Sequence, residues 1–325
     1  MQTFPTNLLD AIRYFSDPQL CIDTVASLRW PEGKPVCPFC YAAETDRKHY
    51  WLATQKRWKC YACRKQFSVK VDTIFEDSPV PLDKWLVAFW MICNCKNGVS
   101  SYEIARDLKV TQKSAWFMLH RLRAALADGS VMKMGGDEGG PIEIDETFVG
   151  GKIKNMHKSK RPKNVPLQGG AAKAIVLGML QRGGRVRARV VVDRTKKHVD
   201  PVITEHIAPG SHIITDEFSV YPHLSTDYVH EIINHVEGYV RDHIHTNGIE
   251  NFWSLLKRGL NGTYVSVEPY HLPRYIEEQV FRFNNRATKD NPLNDADRFA
   301  LALSQISGKR LTYAALTGKV PPSSN

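Results

Sequence analysis

The chain has 325 residues, enough for two or three compact units rather than one. Lys and Arg number 44 against 34 Asp and Glu, a formal charge of +10, which favours a polyanionic partner over a neutral or cationic one. No apolar run approaches the roughly 20 residues that span a bilayer, and the start "MQTFPTNLLDAIRYF" lacks the charged and apolar regions of a secretory signal; the expected setting is cytoplasmic, with no membrane partner.

Residues 1–35 read as a helical lead that ends in the loop "WPEGKP". Residues 36–72 carry two cysteine pairs, Cys37 and Cys40 in "CPFC" and Cys60 and Cys63 in "CYAC". Two such knuckles at this spacing supply four thiolates to one tetrahedral Zn²⁺, a closed and therefore structural site. The odd total of seven cysteines argues against a disulfide framework. Cys93 and Cys95, in the apolar "LDKWLVAFWMICNC", read as small core residues, and neither they nor Cys21 are assigned a function. "HYWLATQKRWKCYACRKQFSV" alternates aromatic, apolar and basic residues as short strands do. Its cations Lys56, Arg57, Lys59, Arg64 and Lys65, with Arg47 and Lys48 just before, lie among aromatic neighbours and suit either contact with phosphates and bases or a solvated basic face.

Residues 80–128 are expected to form a helix-turn-helix unit. An apolar helix over 82–95 comes first; Ser100 or Ser101 then caps a helix carrying Ile104, Ala105 and Leu108, Val110 sits in a tight turn, and Thr111 caps a second helix. In such a unit Gln112, Lys113 and Ser114 would face the major groove, while Arg121 and Arg123 could reach phosphates. Any two short helices joined by a tight turn share this pattern. The Gly-rich stretch 128–141 reads as a linker.

From 141 to 286 the pattern changes to strands: "IEIDETFVG", "AIVLGMLQRG", "RVRARVVVD", a helical "KKHVDPVITEHIAP", then "HIITDE" and "VHEIINH", followed by a long helix. This is a mixed α/β sheet. The loop "KIKNMHKSKRPKNVP", with Lys152, Lys154, Lys158, Lys160 and Arg161, is either a solvated cationic run or a clamp on a nucleic-acid backbone. Residues 287–325 read as one more amphipathic helix and a tail.

Three acids stand out. Asp145 lies in the first strand of this segment, Asp216 at the end of the fourth, and Glu250 in the helix of "HTNGIENFWSLLKRGL", with Lys257 two turns further along. Two aspartates on strands and one glutamate on a helix can hold two divalent cations for phosphodiester chemistry. Each acid also has a plainer reading. Asp145 and Glu146 could start a turn before Gly150 and Gly151, Asp216 could cap a helix from Phe218, and Asn247 with Glu250 has the spacing of a capping box.

"IEIDETFVGGK", "ITDEFSVY" and "HTNGIENFWSLLKRGLNGTY", continued by "YHLPRYIEEQVFRFNNR", resemble the signature blocks of the ISXO-like branch of bacterial insertion-sequence transposases. The resemblance runs from about residue 20 to residue 286. It implies an RNase H-like DDE domain behind an N-terminal zinc ribbon, a catalytic triad of Asp145, Asp216 and Glu250 with Lys257 as accompanying base, and Asn247 as an alternative third ligand. Asp145 would bridge two Mg²⁺ ions, replaceable by Mn²⁺, with Asp216 on one and Glu250 on the other. His245, which could instead pack at the helix entry, and Arg258 would join Lys257 on the phosphates. The implied partners are double-stranded DNA, as element ends and target, and further copies of the chain in a dimer or larger assembly on the bacterial nucleoid, with no small-molecule cofactor. A regulator with an inactive RNase H-like domain and a nuclease that never joins strands are the alternatives.

Overall fold

Local signals set where the first helices begin. Asn7 and Asp17 accept backbone N–H groups at the starts of α1 (Leu8–Tyr14) and α2 (Pro18–Arg29), and Pro18 sits in the first turn, where a missing N–H costs nothing. The computed structural model describes residues 4–45, 47–127, 129–136, 139–151, 158–160, 173–216, 224, 227–233, 245–289 and 291–319, without the side chains of residues 160, 216 and 233. The chain divides into two compact units, residues 1–127 with 285–325, and residues 128–284.

In the first unit the cysteine knuckles flank a three-stranded antiparallel sheet, β1 (Tyr50–Leu52), β2 (Arg57–Lys59) and β3 (Gln66–Phe67). So small a sheet gains its core from aromatic rings: Trp58 packs on Trp51, Phe67 and Trp30 at centroid separations of 4.6, 5.8 and 5.3 Å. The helix α3 (Leu82–Asn94) is buried on several sides, as its unbroken apolar run requires, and Cys93 is part of that core, as is Cys21 in α2. A capping box of Ser100 and Glu103 starts α4 (Ser101–Asp107), and Thr111 caps α5 (Gln112–Leu126). The left-handed residue of the turn between them is Lys109.

The second unit is built on a five-stranded sheet. Residues 129–136 and 139–140 belong to this unit rather than to a free linker: the Met134 amide bonds the His206 carbonyl at 2.7 Å, and the Gly136 amide bonds Ser211 Oγ at 2.9 Å. Strands β4 (Ile142–Val149), β5 (Ala174–Gln181) and β6 (Val186–Val191) form an antiparallel meander, crossed to the other edge through α6 (Lys196–His206). Strands β7 (His212–Asp216) and β8 (Val229–Ile233) then run parallel to β4, giving the order β6-β5-β4-β7-β8. One face, with Ile142, Ile144, Leu177 and Met179, packs on Val199 and Ile203 of α6. The other, with Val176, Leu180, Val186 and Ala188, is covered by α7 (Asn247–Arg258) and α8 (Leu272–Asn284). A mixed sheet of this order between helices is the RNase H-like arrangement that the resemblance implies. No helix among the described residues is long and apolar enough to cross a membrane.

The chain then returns to the first unit. Phe299, in α9 (Asp295–Ser304), is fully buried against Phe15, Phe89 and Trp90. The described residues from 285 to 319 are thus part of the N-terminal unit and not an appended tail, and they include the short α10 (Tyr313–Leu316).

Candidate active site and zinc centre

Period two along β4 puts Glu143, Asp145 and Thr147 on the face covered by α7. Asp145 is half-buried in mid-strand, four residues before the strand ends, so it is no solvated strand-end acid. Its Oδ2 accepts the Trp253 indole N–H at 2.8 Å and its Oδ1 accepts the Glu146 amide at 2.7 Å.

Trp253 reaches Asp145 because Gly178 is directly opposite on β5. A Cβ there would lie 2.5 Å from the Trp253 ring. The lone glycine inside "AIVLGMLQ" marks a close approach of helix to sheet.

The start of α7 is held from outside the helix. Its N-cap, Thr246, makes no side-chain cap bond; instead Glu143 Oε2 accepts the Ile249 amide at 2.8 Å. Glu143 is fully buried, and Arg182 Nε offsets its charge at 2.7 Å. Arg182 also donates to the His245 carbonyl, and His245 Nδ1 stands 3.5 Å from Glu143 Oε1. Gly248 packs on this carboxylate, where a Cβ would lie 2.8 Å from Oε2.

The structure describes the side chains of two of the three acids, Asp145 and Glu250. Glu250 is exposed, one turn from Trp253 on the same helix, with the Thr246 hydroxyl 3.5 Å from its Oε1. The capping box of Asn247 and Glu250 is not formed, since the helix begins at Asn247 itself. Asn247, Glu250 and Lys257 share one exposed stripe, with Arg258 exposed beside it. Asp216 is the last residue of β7, and the parallel pair Glu143↔Ile214 places Asp145 and Asp216 each two residues further along neighbouring strands. The Asp216 side chain and residues 217–223 lie outside the described part of the chain, as do Lys152, Lys154, Arg161 and the Lys160 side chain. Lys158 is exposed. Glu143, Arg182, Trp253 and Gly178 were not singled out from the sequence; the period of "IEIDE" and the glycine of β5 were the available signals.

The helix-turn-helix residues are corrected in part. Arg121 is 3% exposed and donates to the Glu76 carbonyl at 2.6 Å, with its guanidinium beside the Trp85 and Phe117 rings; burial pulls its pKa down to about 10. Arg123 is 1% exposed. Both side chains therefore serve the interior and neither faces a phosphate. Gln112 donates to Ser101 Oγ at 2.9 Å and Ser114 hydrogen-bonds its cap Thr111, while Lys113 is exposed with its ammonium 4.8 Å from the Tyr313 ring.

The four cysteine sulfurs converge. All lie within 4.8 Å of one another, with Cys37 to Cys63 and Cys40 to Cys60 both at 3.7 Å. A tetrahedron with Zn–S bonds of about 2.3 Å has edges of about 3.8 Å, so the spacing fits a zinc ion. Burial pushes the Cys37 thiol up to about 12, a cost that a bound cation reverses. His49 is not a ligand: its Nδ1 accepts the Tyr61 amide at 3.3 Å and its Nε2 meets the Ala42 carbonyl at 3.2 Å, which ties the knuckles together.

Comparison with known proteins agrees with both halves. Residues 138–284 match the ISXO2-like transposase domain, and residues 17–66 match the transposase zinc-ribbon domain. An uncharacterized protein in transposable element ISH50 of Halobacterium salinarum is 25% identical over 286 residues, 83% of this chain and 94% of its own. An uncharacterized transposase-like protein of Haemophilus influenzae is 36% identical over 90 residues, 27% of this chain and 72% of its own.

Proposed function

Since this chain joins a transposase zinc ribbon to an ISXO2-like transposase domain, we propose that it is the DNA transposase of an insertion sequence. It binds the terminal inverted repeats of its element, nicks the DNA to free a 3′-OH and joins that hydroxyl to target DNA. The observation that carries this reading is the half-buried carboxylate of Asp145, oriented by the Trp253 indole of the helix that also bears Glu250.

Asp145 and Glu250 would hold the catalytic Mg²⁺ with Asp216, and Asn247, on the same stripe as Glu250, is the alternative ligand. Bound there, magnesium would activate the attacking oxygen and stabilise the leaving one. The chain's own groups do the rest. Trp253 fixes the rotamer of Asp145, Glu143 sets the start of α7 and with it Glu250, and Lys257, Arg258 and His245 contact phosphates beside the cut. The cationic run with Lys152, Lys154, Lys158, Lys160 and Arg161 would add contacts to the DNA backbone. Zinc on the four cysteines would be structural, and the exposed start of α5 at Lys113 would add to end binding.

Paired ends call for two or more copies of the chain acting together on the nucleoid. Incubating the purified protein with paired element ends, a target plasmid and Mg²⁺ tests the reading. Covalent joining of labelled ends to the target is expected. Nicking without joining would make it a nuclease, and binding without either would make it a regulator.

A further inference from the structure

The two zinc knuckles are built alike. In the first, the Cys37 amide bonds the Ala42 carbonyl and the Tyr41 amide bonds the Cys37 carbonyl, at 3.0 and 2.9 Å; in the second, Cys60 with Lys65 and Arg64 with Cys60 repeat the pattern at 2.9 and 3.2 Å. Tyr41 and Arg64 are therefore equivalent positions, each directly after a ligand. Both have left-handed backbones, with φ of 57° and 63°. Glycine adopts that conformation without the strain an L side chain feels, so the fold alone favours glycine at both.

Packing does not explain the choice. Tyr41 is 79% exposed and Arg64 is exposed, so neither side chain repays the strain by burial. Backbone strain kept at an exposed large side chain points to a role for that side chain. Next to them Phe39 is 45% exposed, and the Lys65 ammonium lies 5.0 Å from its ring. That contact joins the two knuckles beside Cys40 and Cys63, with Tyr41 and Arg64 exposed next to those ligands.

We infer that this knuckle face, with Phe39, Tyr41, Arg64 and Lys65, is a contact for DNA that carries unpaired bases. Exposed aromatic rings interleaved with cations match stacked bases on a charged backbone, and such stacking accepts any base. Inside a duplex both faces of each base are already covered, so a ring stacks there only by wedging base steps apart at a cost, whereas a frayed end, a flap or a gap offers an open face. An acidic peptide would use the cations and leave the two rings without a purpose. The inference rests on the reading that the chain acts on DNA, and it adds that the ribbon recognises strand ends.

The test uses full-length, zinc-loaded protein and three labelled DNAs of one sequence: a blunt duplex, the same duplex with a short 3′ overhang, and the single strand. Anisotropy titrations should show the overhang and the single strand bound about fivefold or more tighter than the blunt duplex. Tyr41→Gly and Phe39→Leu should each reduce that preference, with Tm unchanged or higher for Tyr41→Gly. Arg64→Gly should lower the slope of log K against log salt by about one on all three DNAs. Equal wild-type affinity for blunt and overhanging duplex, an unchanged preference in Tyr41→Gly, or a lowered Tm in that variant would overturn the inference and leave the transposase reading standing. Failure to bind any of the three would overturn both.

Discussion

Glu143 caps a helix that has no cap of its own. A buried carboxylate normally finds its cation nearby; this one finds Arg182 and then spends its second oxygen on the Ile249 amide at the start of α7. Removing the partner of a half-buried cation is costly, so Glu143→Ala should lose about 3 kcal/mol of stability in denaturant unfolding. Glu143→Gln keeps an acceptor and should stay folded, yet faster amide exchange over residues 247–251 should accompany reduced nicking. Unchanged exchange there would remove Glu143 from the positioning of Glu250. Gly178→Ala tests the other support, since its Cβ would lie 2.5 Å from the Trp253 ring. Overpacking of this kind costs about 1–3 kcal/mol, and fluorescence of a shifted Trp253 should report it alongside the fall in Tm. Asp145 was legible in the sequence because an aspartate directly after Ile144, inside a strand-like run and followed by a second acid, Glu146, is conspicuous. Glu143 was hidden because its partners, Arg182 and Ile249, are 39 and 106 positions away along the chain.

Among the elements, the zinc ribbon shows how much a fold can rest on one ion. Its strands are two or three residues long, and the knuckles supply their frame. Chelation should therefore unfold residues 36–72, seen as loss of exchange protection there, while β4 to β8 keep theirs; retained protection in the ribbon would deny zinc that role. The Cys37 thiol, held up near 12 by burial, is protonated at neutral pH, so zinc must expel a proton and its affinity should fall as pH drops. CxxC spacing made this centre readable, as period two did for the sheet and Ser100 and Thr111 did for α4 and α5. The arginines of α5 were misread because helical spacing gives a face and not its neighbour: nothing in "WFMLHRLRAAL" says that Glu76 supplies a carbonyl to Arg121.

At the scale of the whole molecule, the N-terminal unit is discontinuous. The domain that matches the transposase family ends at residue 284, and α9 beyond it completes the first core. Truncation at residue 285 should leave residues 1–127 unfolded although every zinc ligand is present. Phe299→Ala, which empties a fully buried ring site, should cost about 3–5 kcal/mol in that unit. Limited proteolysis separates the outcomes, since a resistant N-terminal fragment from the truncated chain would contradict the discontinuous core. This return was not legible, because amphipathic periodicity shows that α9 buries a face without saying where. In the proposed function Asp145 and Glu250 act with Asp216 on metal ions to cut DNA. It is tested most directly by nicking of DNA bearing the element's ends in Mg²⁺, for wild type against Asp145→Asn and Glu250→Gln at matched DNA binding. Cleavage by the wild type, its loss by a factor of about 10² or more in both variants, and unchanged binding are expected; cleavage at the wild-type rate by either variant would remove that carboxylate from the chemistry.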